Sequence, residues 1–147
     1  ISHVEDPDGL VAKAASVLAP GGRLVLFDGD YASLVTATGD ADLDARVSES
    51  TKQVACANPT VLRELPRLLR RHGLVIEAVQ DHVYSEIGHS QFFLGLAEYA
   101  APMLGASGQV ATEDVDRWLR ELRSANDEDV FFGACNYYTY IAQEPTP

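Results

Sequence analysis

A chain of 147 residues is long enough for one domain with a sizeable buried core. Its 46% hydrophobic and 22% charged residues describe a globular chain, and a net charge of -11 disfavours nucleic acid and anionic membrane, whose phosphates need clustered cations. No apolar run approaches the roughly 20 residues of a membrane span, and Cys56 and Cys135 without a CxxC pair give neither a disulfide framework nor a zinc knuckle, so a reducing cytoplasm is the expected compartment.

From Asp6 to Ala19 the apolar residues Leu10, Val11, Ala14, Ala15 and Leu18 recur at helical spacing behind an acidic, proline-bearing first turn. Pro20-Gly21-Gly22 stops that helix, and the continuous apolar run Arg23 to Asp28 predicts a strand covered on both faces, with Asp28, Gly29 and Asp30 capping its carboxyl end. A weaker helical pattern covers Ala41 to Ala57. A stronger one begins at Pro59, carries Val61, Leu62, Leu65, Leu68 and Leu69, is expected to kink or restart at Pro66, and ends at His72-Gly73. Arg63, Arg67, Arg70 and Arg71 read as the solvated face of this helix.

Leu74 to Tyr84 resumes a strand pattern. Two helices are predicted next, Phe92 to Met103 and Glu113 to Ser124 with Thr112 as N-cap. The aromatic stretch Phe131 to Ala142 reads as a last strand, followed by a frayed tail, Glu144 to Pro147. No linker divides the chain, so residues 1-147 are expected as a single domain with a helical insertion at 90-128.

The ordered set His3-Val4-Glu5-Asp6-Pro7, a helix, Leu18-Ala19-Pro20-Gly21-Gly22-Arg23-Leu24-Val25-Leu26 and Asp28 resembles the central-to-C-terminal stretch of class I S-adenosylmethionine-dependent methyltransferases. The resemblance covers nearly the whole chain and implies an α/β fold, the C-terminal half of a Rossmann-like sheet. Its strands would correspond to the fifth, the sixth and an antiparallel seventh, adjacent in the order fifth, seventh, sixth, with flanking helices and a helical insertion before the last strand. The glycine-rich first turn and the acidic residue ending the second strand of that family have no counterpart upstream of Ile1. A sulfonium nucleoside needs both, a glycine turn for close backbone approach and a carboxylate for its ribose hydroxyls.

The resemblance therefore implies S-adenosylmethionine as the methyl donor, with this chain supplying the acceptor side, only His3 and Val4 near the cofactor, and no activity alone. Ligands of open α/β sheets bind beyond the carboxyl ends of the strands, which points to Asp28, Asp30 and Tyr31; the two aspartates, with His3, are the candidate proton acceptors. His89 and Gln91 are candidate polar contacts to the acceptor, and Phe92, Tyr99 and Trp118 candidate apolar ones. Asn136 and Tyr138 come from the phenol-rich last strand. No residue set has metal-ligand spacing. The expected partners are a small-molecule acceptor and either a second copy or an N-terminal half covering the exposed edge of the first strand. The competing expectation is a non-catalytic methyltransferase-like module for dimerisation or ligand binding.

Overall fold

The computed structural model describes residues 1–54 and 56–145. Residue 55 of the expected helix Ala41 to Ala57, and residues 146 and 147 of the expected tail, lie outside them. The elements run α1 (Pro7–Ser16), β1 (Arg23–Thr36), α2 (Ala41–Val54), α3 (Val61–Arg71), β2 (Val75–Gly88), α4 (Phe92–Ser107), α5 (Thr112–Asp127) and β3 (Phe131–Gln143). The three strands form one antiparallel sheet in the order β1-β3-β2, so the last strand is the central one. The chain divides into two compact units: unit 1 is Ile1–Tyr31, Ala57–His82 and Asn136–Pro147, and unit 2 is Ala32–Cys56 and Val83–Cys135.

Unit 1 is built on α1 and α3. The side chain of Asp6 accepts the Gly9 N–H at 2.8 Å, and Pro7, which has no N–H to lose, fills the first helical position. α3 ends in a Schellman turn: Gly73 takes φ +76°, its N–H reaches the Arg70 carbonyl, and the Leu74 N–H reaches Leu69 at 2.9 Å. The core gathers Val11, Leu62, Leu65, Leu69, Leu74 and Ala142, with Leu24, Leu26 and Ile76 packed against it.

α3 passes through Pro66 without interruption, where a kink or restart is expected. A proline leaves the carbonyl four residues earlier, that of Leu62, without its helical donor. The buried Tyr140 hydroxyl donates to that oxygen at 2.9 Å. The phenol of β3 thus completes the hydrogen bonding of α3.

In unit 2 the buried positions follow the helical period: Leu43 and Val47 on α2, Phe93, Ala97, Ala100 and Leu104 on α4, Val115, Trp118 and Leu122 on α5. Phe131 and Cys135 of β3 complete this core. α4 has no cap of its own at Gln91. Glu86 supplies one from β2, accepting from the N–H groups of Phe92 and Phe93 at 3.0 Å and from the Ser90 hydroxyl. Although burial pushes the Glu86 carboxyl up, these bonds outweigh it and hold the group at about 2.

Three expectations are corrected. β1 is not covered on both faces: its burial alternates, with Val25 and Phe27 exposed, because its neighbour β3 is antiparallel and the helices of unit 1 pack on Leu24 and Leu26. The strand runs on to Thr36, so Asp28, Gly29 and Asp30 lie in its middle and not at its carboxyl end. Thr112 is the first helical residue of α5, and Ala111 occupies the N-cap without a side-chain bond.

Candidate functional site

The N-terminal candidates are positioned by two anchors in unit 1. Asp28 faces the first residues, its Oδ2 accepting from the nitrogen of Ile1 at 2.7 Å and from the N–H and hydroxyl of Ser2 at 2.8 Å each, while its Oδ1 takes the Gly29 N–H. Burial alone would raise the Asp28 carboxyl, but these donors hold it below its ordinary value. Asn58 donates to the Val4 carbonyl at 2.6 Å and takes the other side of the segment, its own N–H bonding the Ser2 carbonyl. His3 stands between these anchors, exposed, its ring edge-on to Tyr31 at 5.3 Å.

Asp30 is 3% exposed and its Oδ2 receives both Nε and Nη2 of Arg63, at 3.0 and 2.8 Å. That bond, ahead of the opposing desolvation, raises the arginine's affinity for its proton. Arg63 is the residue the sequence pattern conceals. It falls in the first turn of α3, where the helix dipole disfavours a cation, and that misplacement is the readable sign of a carboxylate partner. Asn136 and Tyr138, half-buried on β3, belong to the same unit. The structure therefore brings His3, Val4, Asp28, Asp30, Tyr31, Asn136 and Tyr138 into unit 1.

The remaining candidates belong to unit 2. His89 and Gln91 are exposed on the turn before α4, and Tyr99 stands 69% exposed on α4. Phe92 is half-exposed and packs edge-on to Tyr84 and Phe93. Trp118 is buried, its indole N–H donating to the Thr36 hydroxyl at 3.3 Å. The cavity it lines with Thr36, Thr51, Phe93 and Ala97 measures about 20 Å³, room for one water. Among the described residues no group of His, Cys, Asp or Glu could hold a metal ion, and no helix is long and apolar enough to cross a membrane.

No known family profile matches the chain. A protein of Bacillus halodurans C-125, provisionally named a methyltransferase, has a solved structure that superposes on 99% of this chain with a TM-score of 0.56 at 18% identity. The chain shares the α/β fold of part of that protein. The strand order β1-β3-β2 is the order that the resemblance implied for the fifth, seventh and sixth strands. This chain spans 66% of the Bacillus protein. It also matches an uncharacterized 37.1 kDa protein from a transposon of Streptomyces fradiae, 28% identical over 145 residues, of which it spans 41%. A phosphoethanolamine N-methyltransferase of Haemonchus contortus superposes with a TM-score of 0.42 at 14% identity, over 99% of this chain and 32% of its own.

The glycines test whether these residues could hold S-adenosylmethionine. A cofactor cradle needs a glycine whose missing side chain is replaced by ligand. A Cβ on Gly29 would instead meet Tyr137 at 3.1 Å, and one on Gly133 would meet Phe93 at 2.8 Å. Gly73 and Gly108 take positive φ in the turns that end helices. Neither Gly29 nor Gly133 therefore offers such a cradle, whereas Gly21 and Gly39 have no atom within 4 Å of a built Cβ.

Proposed function

We propose that this chain is the acceptor-side, C-terminal half of an S-adenosylmethionine-dependent methyltransferase acting on a small molecule, inactive until another half completes the cofactor site. The observation that carries the reading is the sheet order with its antiparallel last strand in the middle, in a chain that superposes over 99% of its length on two thirds of a larger methyltransferase fold. In this reading the exposed edge of β1 is where the missing half joins the sheet.

Methyl transfer is an in-line displacement in which a protein chiefly aligns donor and acceptor and excludes water. Here His3 is the proton acceptor, an exposed imidazole on a segment pinned by Asp28 and Asn58 and braced by Tyr31. Asp28 and Asp30 act as positioning residues, since Asp28 already accepts from the first two residues and Asp30 from Arg63. Tyr31, Asn136 and Tyr138 border the acceptor in unit 1. In unit 2, His89, Gln91, Phe92 and Tyr99 lie at the surface, while Trp118 supports that unit from within.

The test is isothermal titration with S-adenosylhomocysteine. No heat of binding is expected from the chain alone, and micromolar binding would overturn the half-site reading because it would require a complete pocket. The second reading, a non-catalytic module, is favoured by the same uncovered edge. A homodimer that binds no cofactor and gains none when joined to a complementing half would select it.

A further inference from the structure

The guanidinium of Arg63 is a fork of N–H donors, and Asp30 engages only one edge of it. A single oxygen of that buried carboxylate takes the Nε and Nη2 hydrogens at 3.0 and 2.8 Å. The opposite edge, made by Nη1 and the second Nη2 hydrogen, has no hydrogen-bond partner among the described residues, and the Arg63 side chain is 55% exposed. An ion pair serving only to neutralise Asp30 has no use for that outer edge.

The surroundings suit the open edge to an anion. Two parallel N–H donors match two oxygens of a carboxylate or a phosphate. Because Asp30 already orients the fork, little side-chain freedom remains to be lost on binding. Arg63 lies in the first turn of α3, so the positive end of the helix dipole adds to its charge, and the N-cap residue Thr60 makes no capping bond that would occupy this end. After Asp30, whose hydrogen bond is the main influence on the guanidinium, the phenol of Tyr138 also acts on it, which places a half-buried hydroxyl beside the same group. All of these residues belong to unit 1. With a net charge of -11 the chain repels anions in general, so an oriented and open cation is a selective point of capture.

We propose that the outer edge of Arg63 binds a carboxylate or phosphate group of the methyl acceptor, so that the substrates are anionic small molecules. Asp30 is then the positioning residue that aims the fork. The anion site stands on the geometry of unit 1, and only its assignment to an acceptor rests on the methyl-transfer reading above.

The experiment titrates inorganic phosphate, and separately acetate, into the isotope-labelled chain against sodium chloride of matched ionic strength. It follows the Arg63 side-chain N–H signals and the backbone amides of the first turn of α3 by nuclear magnetic resonance. A saturable shift of both sets with at least one anion is expected, phosphate alone marking a phosphorylated acceptor and acetate alone a carboxylic one. Arg63→Lys keeps the charge but loses the fork and should weaken binding about tenfold or more. Arg70→Gln, in the last turn of the same helix, should leave it unchanged. Absence of saturation with both anions overturns the proposal, as does an equal loss in Arg70→Gln, which would mean diffuse attraction to the arginines of α3. If Arg63→Lys does not fold, the Arg63 signals of the parent chain decide, since their failure to shift while other residues respond is equally fatal. No cofactor enters this titration, so a negative result leaves the methyl-transfer reading intact, and failure of that reading leaves an anion site without an acceptor.

Discussion

Tyr140 shows how one hydroxyl can repair a defect written elsewhere in the sequence. Its bond to the Leu62 carbonyl replaces the donor that Pro66 lacks. Tyr140→Phe should therefore cost about 1–2 kcal/mol in urea unfolding, the penalty of an unsatisfied buried carbonyl. Pro66→Ala restores an N–H to the helix, and in that background the same substitution should cost about 1 kcal/mol less, a coupling that a double-mutant cycle reads directly. Glu86 makes a pH-dependent counterpart. Its carboxyl lies at about 2 in the folded chain against 4.5 ordinarily, so its contribution is complete above 4.5 and is lost as pH falls through that window. Glu86→Gln should flatten the acid side of the stability profile measured by denaturant titration between those limits. The parent's slope there should persist if Glu86 is not the cap of α4.

At the scale of elements, β3 and α4 meet closely at Gly133. A Cβ on Gly133 would stand 2.8 Å from Phe93 and 2.9 Å from Phe131, while one on Gly95 meets nothing within 4 Å. Gly133→Ala should lose about 1–3 kcal/mol by overpacking, and Gly95→Ala, inside the same helix, should gain about 0.5–1 kcal/mol; chemical denaturation of the two variants reads both. The eight elements were legible from periodicity and from the glycines and prolines that end them, because those signals are local. β1 was harder. The run from Arg23 to Asp28 is apolar throughout, and nothing in it distinguishes a strand buried on both faces from one whose outer face is bare. That distinction depends on which strand lies alongside and on which side the helices pack. The candidate site divides in the same way. His3 and Tyr31 could be named from their positions along the chain; the cation in the first turn of α3 signals that Arg63 has a carboxylate partner, but only the fold identifies that partner as Asp30 of β1.

The whole molecule carries an excess of acidic charge that the native state must hold together. With a net charge of -11 on 147 residues, self-repulsion is screened by salt, and the melting temperature should rise by a few degrees when sodium chloride is raised from low to half-molar concentration. A flat response would mean that ion pairs such as Arg23 with Glu77 and Arg123 with Glu98, which salt weakens, offset the gain. Each of the three strands contributes residues to both units, so neither unit is a continuous stretch that could be excised. The buried indole of Trp118 turns this arrangement into an optical advantage. It is the single tryptophan of the chain and belongs to unit 2, while Tyr31, Tyr137, Tyr138 and Tyr140 all belong to unit 1. Red-edge excitation therefore reports the opening of one unit alone, and tyrosine absorbance is dominated by the other. A single unlabelled sample thus carries two native chromophores, able to reveal whether the halves of this sheet come apart together or in sequence.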